Sequence, residues 1–362
     1  MSKVLIRTDA SNSTGMGHLN RCVSLARHFE IEGIESLLIL RHASDNIVTG
    51  FKNQGLNISV LEKCGSLYDE ALLISNRFAS QYSAIVFDFS HYQIMSRVEE
   101  LIPYFKILHN SFSATLLIDG LDDTAIIDHI EPSIDVVVTP YIGAKCRSAD
   151  ENPGFRHWAG PAYFIFPPEF TSINWDRQVR GKAKNLLVSM GGSDPYELTL
   201  MIIDALQLLE SEIICRVVVG PGFTESLKLK IEKACAVIPC CKIVFGLPTL
   251  IRHLQWADIA ISASGLTKYE MAYAGVPSLQ LSFNAKIAAA NAQDETKGFY
   301  LDLGLYTETT SLDIANEIDA LVRSFERRRE MVRLGQALFS KTGLDSLIRE
   351  VRGNIVDSIN CN

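Results

Sequence analysis

One histidine, three glycine-bearing turns and a few carboxylates carry the chemistry this sequence displays. His18 closes the run Thr14-Gly15-Met16-Gly17-His18, and imidazole is the side chain whose ordinary pKa lets it take a proton near neutral pH. At the start of a helix it would sit in the positive field of the aligned peptide dipoles, which favours the neutral ring that a general base must present. Capping the helix, or donating to a neighbouring carbonyl, is the structural alternative for the same side chain. Gly15 and Gly17 would let a ligand approach the backbone, and the helix start would offer unpaired N–H groups to an anion. The run is neither G-x-G-x-x-G nor a P-loop, because no third glycine and no Gly-Lys-Ser/Thr follow.

A second turn, Ser189-Met190-Gly191-Gly192-Ser193-Asp194-Pro195, again follows an apolar run. Asp194 before Pro195 has the pattern of an N-cap with proline at the first helical position, whereas Gly191 and Gly192 permit close approach of a ligand or of the opposite lobe. The third turn, Ser264-Gly265-Leu266-Thr267, offers small and hydroxylated residues that could donate to a diphosphate, with Glu270 placed to grip the two hydroxyls of a ribose. Thr267-x-x-Glu270 also fits the capping box, and on spacing alone that is the better fit. Asp9, Asp88, Asp119, Asp122 and Asp123 gather at strand ends; Asp9 and Asp88 could orient His18 or bind sugar hydroxyls, or simply cap turns. No ligand spacing calls for a metal, and neither a metal nor a cofactor is expected.

These turns need a scaffold, and the sequence supplies one by alternating β-rich runs with helical periods, the pattern of a parallel sheet covered on both faces. Val4–Thr8, Leu37–Leu40, Ile58–Leu61, Ala84–Asp88, Thr115–Asp119 and Val136–Thr139 read as strands of a first Rossmann-like lobe, residues 1–150. Residues 151–184, with prolines 153, 161, 167 and 168, read as an inter-lobe connection. Alternation resumes over 185–340 as a second Rossmann-like lobe, and 341–362 reads as a helix returning towards the hinge. The fold class is therefore α/β, two doubly wound lobes, with the chemistry in loops beyond the strands' carboxyl ends.

Length and composition agree with two domains: 362 residues, 47% hydrophobic and 21% charged. No apolar run approaches the roughly 18–20 residues of a membrane span, and the charged start Lys3 to Asp9 leaves no room for a signal-peptide core, so the chain is expected in the cytoplasm with no membrane partner. A net charge of −8 argues against nucleic acid as a partner. The eight cysteines form no C-x-x-C pair and read as free thiols. Oligomeric state is not encoded in any visible pattern.

In this order, Gly15-Met16-Gly17-His18-Leu19-Asn20-Arg21, Gly160-Pro161-Ala162-Tyr163, Pro168-Glu169-Phe170, Ser189 to Pro195, Ala257 to Glu270 and Gly275-Val276-Pro277 make the chain resemble the nucleotide-sugar hydrolases of the pseudaminic-acid pathway, relatives of GT-B glycosyltransferases. The resemblance covers nearly the whole chain. It implies a GT-B-like fold and a nucleotide-sugar as the small-molecule partner: a UDP-linked 2,4-diacetamido-2,4,6-trideoxy hexose, cleaved by water at the anomeric carbon with inversion and without a metal. It implies further that His18 activates the water, Ser264 to Thr267 receives the diphosphate, Glu270 holds the ribose and the uracil lies near Phe245 and Leu247. Relatives tend to show Asp-His-Tyr where this chain has Asp88-Phe89-Ser90-His91-Tyr92, which leaves the register of Tyr92 against the sugar open. The Ser264-Gly265-Leu266-Thr267 turn and Asn291-Ala292-Gln293 also depart from the family pattern, in the region of the sugar and phosphates. A glycosyltransferase using the same donor, and a non-catalytic nucleotide-sugar sensor, are the competing readings.

Overall fold

The computed structural model describes residues 3–9, 17–41, 43, 45–88, 98–118, 133–146, 155–245, 249–295, 298–339, 345, 347–349 and 352–353. By its internal contacts the chain divides into Met1–Pro168 with Ser340–Asn362, and Glu169–Phe339.

The first unit holds a seven-stranded sheet of β1 (Lys3–Thr8), β2 (Glu35–Leu40), β3 (Ile58–Val60), β4 (Ala84–Asp88), β5 (Ala114–Ile118), β6 (Val136–Thr139) and β7 (Arg156–Ala159), ordered β3-β2-β1-β4-β5-β6-β7. Every pairing is parallel. Its helices are α1 (Gly17–Ile31), α2 (Asp45–Lys52), α3 (Leu67–Phe78) and α4 (Val98–His109). Side chains of a strand alternate between faces. Val4 and Ile6 therefore pack with Leu19, Cys22 and Phe29 of α1, while Leu5 packs on the opposite face with Ala71 and Ile74 of α3 and Tyr104 and Phe105 of α4. Leu347 and Ile348, near the end of the chain, join the α1-side core. The seventh strand comes from the stretch that the prolines mark as a connection: β7 pairs with β6 from Val136↔Arg156 to Thr139↔Ala159.

The second unit repeats the plan with β8 (Asn185–Ser189), β9 (Ile214–Val219), β10 (Cys241–Phe245), β11 (Ile259–Ala263), β12 (Ser278–Ser282) and β13 (Tyr300–Leu305), ordered β10-β9-β8-β11-β12-β13 and parallel throughout. Between and after the strands run α5 (Leu198–Leu206), α6 (Glu225–Ala236), α7 (Ile251–Trp256), α8 (Thr267–Tyr273), α9 (Ala285–Glu295), α10 (Ser311–Arg323) and α11 (Phe325–Ala337). Arg328, with no exposed surface, ties α11 to the segment before β8 by donating to the carbonyls of Leu321, Val322, Arg180 and Gly181 at 2.6–2.9 Å. Four acceptors satisfy the buried guanidinium. Among the described residues no helix is long and apolar enough to cross a membrane.

Two local expectations are corrected. The helix after β8 starts at Leu198, with Glu197 at φ 54 as its N-cap, so Asp194 and Pro195 are not the cap and first residue. Asp194 instead adopts φ 42 and reaches forward, its carboxylate accepting from the N–H groups of Leu198 and Thr199 at 2.8 and 2.9 Å. It still neutralises the helix start, from one turn further away than the spacing suggests. The capping box at Thr267 does not form either: the cap position is Leu266 in helical conformation, with no side-chain cap hydrogen bond. Glu270 is left for something else.

In each sheet the strand order reverses once, between β1 and β4 and between β8 and β11. Ligands of open parallel sheets bind beyond the strands' carboxyl ends at such reversals. The turns after β8 and β11 singled out from the sequence lie there, as does the start of α1 at Gly17 and His18, while residues 10–16 lie outside the described residues.

Candidate active site

In the first unit, Thr8 ends β1 and Asp88 ends β4, and the two are register partners on adjacent strands. Gly17, exposed, opens α1, and His18 is its second residue. The His18 side chain keeps 23% of its surface exposed while Asp88 keeps none, and Nδ1 of His18 lies 2.7 Å from Oδ1 of Asp88. Arg21, one helical turn beyond His18 and so on the same face, donates from Nε to Oδ2 and from Nη2 to Oδ1 of Asp88, each at 2.7 Å. Its Nη1 donates to the hydroxyl of buried Tyr141, and Cys22 adds an Sγ contact to Oδ2 of Asp88 at 3.6 Å.

Burial alone would raise the Asp88 carboxyl, but the Arg21 guanidinium and the His18 ring outweigh it and bring the group down to about 2. Asp88 is therefore a carboxylate throughout the neutral range. An ionised carboxylate only accepts, so Nδ1 of His18 is the donor to it, and the tautomer this contact selects for a neutral ring leaves the lone pair on Nε2. Arg21 Nη2 stands 3.4 Å from the same Nδ1; both are donors, and both are directed at Asp88 rather than at each other. The result is a histidine with fixed tautomer and orientation beside a strand reversal, the arrangement of a general base.

Asp9 does not share this arrangement. Arg7, fully buried on the opposite face of β1, donates to Asp9 at 2.7 Å and to Glu70 of α3 at 2.7 Å. Asp9 thus belongs to an ion cluster, and of the two carboxylates proposed to orient His18 it is Asp88 that meets the ring. Gly15, Tyr92, Asp119, Asp122 and Asp123 lie outside the described residues.

In the second unit, Gly191 has φ +83 with open space beside it, a conformation that favours glycine. The close approach observed at Gly192 is to a turn of its own unit, rather than to the ligand or opposite lobe expected: the Gly192 carbonyl accepts from Gly222 N at 2.8 Å, and a Cβ at Gly220 would stand 2.4 Å from that oxygen. After β11, Ser264 lies buried with its hydroxyl 3.3 Å from that of Ser282, and Gly265 is exposed with nothing beside it. The N–H groups of Leu266 and Thr267 meet no backbone carbonyl among the described residues. Beneath the turn, buried Lys268 donates from Nζ to Asn291 Oδ1 at 3.1 Å, and Asn291 donates to the Ser282 hydroxyl at 3.0 Å. The Glu270 carboxyl has no hydrogen bond or ion pair with any described residue, and although part of the side chain reaches solvent, desolvation raises it to about 7. Phe245, half-exposed, ends β10, and Leu247 lies outside the described residues.

Arg21, Tyr141, Lys268 and Asn291 were not among the residues picked as functional from the sequence. Arg21 carried a usable signal, a cation three residues after the histidine on the helix face that meets β4. Tyr141 carried none, since only the fold brings the β6–β7 turn to α1. Among the described residues no group of three or more His, Cys, Asp or Glu side chains is arranged to hold a metal ion.

No family model matches the chain. The chain is 23% identical to an uncharacterized protein of Methanocaldococcus jannaschii over 83% of its own length and 62% of that protein's. It is 26% identical to the spore coat polysaccharide biosynthesis protein SpsG of Bacillus subtilis over 52% of its own length and 56% of SpsG. It therefore spans roughly three fifths of the length of the curated relatives it matches. Among solved structures it resembles Acinetobacter baumannii MurG, with TM-score 0.68, 14% identity, and 98% and 100% of the two chains covered. It also resembles Anabaena HepE in complex with UDP and glucose, with TM-score 0.55, 12% identity, and all of both chains covered. The two parallel Rossmann-like sheets have GT-B glycosyltransferases as structural neighbours, and the fold is of that class.

Proposed function

We propose that this protein is a nucleotide-sugar hydrolase: water attacks the anomeric carbon of a UDP-linked 2,4-diacetamido-2,4,6-trideoxy hexose, and UDP and free sugar of inverted configuration leave. The observation that carries the reading is the His18–Asp88–Arg21 array. A neutral imidazole with its free Nε2 at the edge of a sheet reversal takes the proton of a water as the C1–O bond to UDP breaks, and the adjacent carboxylate stabilises the imidazolium that forms. UDP is a good leaving group, so orientation of the water and partial removal of its proton can supply much of the acceleration.

On this reading the second unit holds the nucleotide. The N–H groups of Leu266 and Thr267 and the Ser264 and Thr267 side chains meet the diphosphate, with Gly265 leaving room for it, and the Glu270 carboxylate accepts from the ribose hydroxyls. The loop after Phe245, with Leu247, meets the uracil; Asp9, Tyr92 and the glycines 15, 17, 191 and 192 border the substrate. The HepE complex with UDP and glucose and the role of SpsG in polysaccharide biosynthesis support a nucleotide-sugar as the substrate. The GT-B fold supports a second reading, transfer of the sugar to an acceptor hydroxyl that replaces water at His18 Nε2.

Phosphorus and proton NMR of the protein with the UDP-linked diacetamido-trideoxy hexose, with EDTA and no acceptor, tests the proposal. Release of UDP with sugar of inverted anomeric configuration is expected. Intact substrate despite binding would overturn hydrolysis and leave transfer as the better account.

A further inference from the structure

Three thiols to which the proposed reaction assigns no role converge in the second unit. Cys215 lies on β9 and is buried, Cys235 lies in the last turn of α6 and is buried, and Cys241 opens β10 half-exposed. Cys215 and Cys241 are register partners on adjacent parallel strands. Cys235 and Cys241 bring their sulfur atoms to 3.2 Å across a tight turn held by Ile238 N to Cys235 O at 3.0 Å and Cys241 N to Ile238 O at 3.1 Å. A disulfide needs about 2.05 Å between sulfurs, so the two sulfur atoms stand little more than about 1 Å from bonding distance. β10 is the edge strand of its sheet, with a free side on which to adjust.

We propose that Cys235 and Cys241 are a reversible oxidation site, a dithiol that closes to a disulfide and staples the end of α6 to the edge strand β10. The three residues are not alike. Hydrogen bonds from Cys215 and Cys235 pull the Cys241 thiol down, and the same contact with Cys241 pushes Cys235 up. Cys241, the more accessible and more acidic, is the attacking sulfur. With a peroxide as oxidant, the Cys241 thiolate bonds to one peroxide oxygen, the O–O bond breaks, and the other oxygen leaves as water once protonated. Cys235 then attacks the sulfenic sulfur, the S–S bond forms, the S–O bond breaks, and the departing hydroxide takes the Cys235 proton as a second water. Two thiols have been oxidised by two electrons and one hydrogen peroxide reduced to two waters. An external dithiol reverses the step by exchange.

The site is convenient to read, because Cys235, Cys240 and Cys241 fall in one tryptic peptide, Ala234–Lys242. The reduced full-length protein is treated with a slight excess of hydrogen peroxide, the remaining thiols are alkylated, and this peptide is analysed by tandem mass spectrometry, with circular dichroism confirming that each variant is folded. The wild type should lose two hydrogens in this peptide and alkylate only at Cys240, with full reversal by dithiothreitol. C240S should close as readily as the wild type, whereas C235S and C241S should not, and C235S should accumulate a dimedone-trappable sulfenic acid at Cys241. A peptide that stays alkylatable at all three cysteines, a bond that maps to Cys240, or a Cys215–Cys241 cross-link in the wild type would each overturn the proposal.

Discussion

Replacing Glu270 by glutamine isolates a charge that the free protein holds at a disadvantage. The carboxyl is unpaired among the described residues, and desolvation raises it from its ordinary 4.5 to about 7. At about 1.4 kcal/mol per pKa unit this is on the order of 3 kcal/mol, and the part of the side chain that reaches water reduces it to about 2 kcal/mol. Between 4.5 and about 7 the folded chain binds more protons at this site than the unfolded chain, so stability falls as pH rises through that window, and above it the whole penalty is present. Glutamine has the same shape and no charge to desolvate. E270Q is therefore expected to melt close to the wild type at about pH 4.5 and above it by about 4–8 °C at about pH 8.5, taking about 2–4 °C per kcal/mol for a unit of this size. Calorimetry of both proteins over a pH series reads the difference, and a melting gap that does not change with pH would refute the desolvation argument. The proposed function adds a second arm: UDP should bind E270Q about tenfold more weakly than the wild type near neutral pH, since a charged acceptor of the ribose hydroxyls is lost. That ratio should shrink towards acid pH, where wild-type Glu270 is itself neutral, and comparing the two proteins cancels titration of the ligand's own phosphate.

Three further perturbations test other parts of the argument. H18A should keep UDP affinity within about twofold and lower turnover by about 10²–10⁴-fold, measured by coupled UDP release and isothermal titration; unchanged turnover would remove His18 from the reaction. D88N lets the amide donate to Nδ1, which moves the ring proton to Nε2 and leaves Arg21 buried without its counter-charge, so turnover should fall by at least about 10²-fold and stability by about 3 kcal/mol; wild-type rates in a folded D88N would sink the tautomer argument. G220A would drive a Cβ to 2.4 Å from the Gly192 carbonyl oxygen, backbone against backbone, and should destabilise the second unit by about 3 kcal/mol in urea unfolding, whereas an unchanged midpoint would mean that the turn yields freely.

How far the sequence could be read follows from which interactions are local. Parallel strands buried on both faces must be continuous apolar runs, and β1, β4, β8 and β11 are such runs, so the elements and the two-lobed class were legible. β7 was not: Arg156-His157-Trp158-Ala159 has no apolar run, is only partly buried, and lies among prolines that signal a linker. Asp194 and Glu270 show the same limit within the site. Each matches a capping pattern that rests on spacing alone, yet three-dimensional demands send Asp194 across a left-handed turn and leave Glu270 unpaired. His18 and Asp88 were both visible, and Asp88 was one of two carboxylates offered to orient the ring, but the choice between it and Asp9 was not legible, because 70 residues separate His18 from Asp88 and only the β1–β4 adjacency brings them to 2.7 Å.

The two units differ in how the polar groups beyond their strand ends are satisfied, and the difference bears on the proposed mechanism. In the first unit the His18 ring, Asp88, Arg21 and Tyr141 already bond one another, so the proposed base would need no rearrangement when charge develops on it; preorganisation of that kind lowers a barrier without drawing on binding energy at the moment of reaction. In the second unit Glu270 carries a desolvated carboxyl with no partner, and the N–H groups of Leu266 and Thr267 meet no backbone carbonyl. Groups left unsatisfied in the free protein gain most when a ligand arrives, since the desolvation they have already undergone is not repeated. The proposed hydrolysis would use this division: the unsatisfied groups of the second unit to hold the nucleotide, and the completed network of the first where the proton moves.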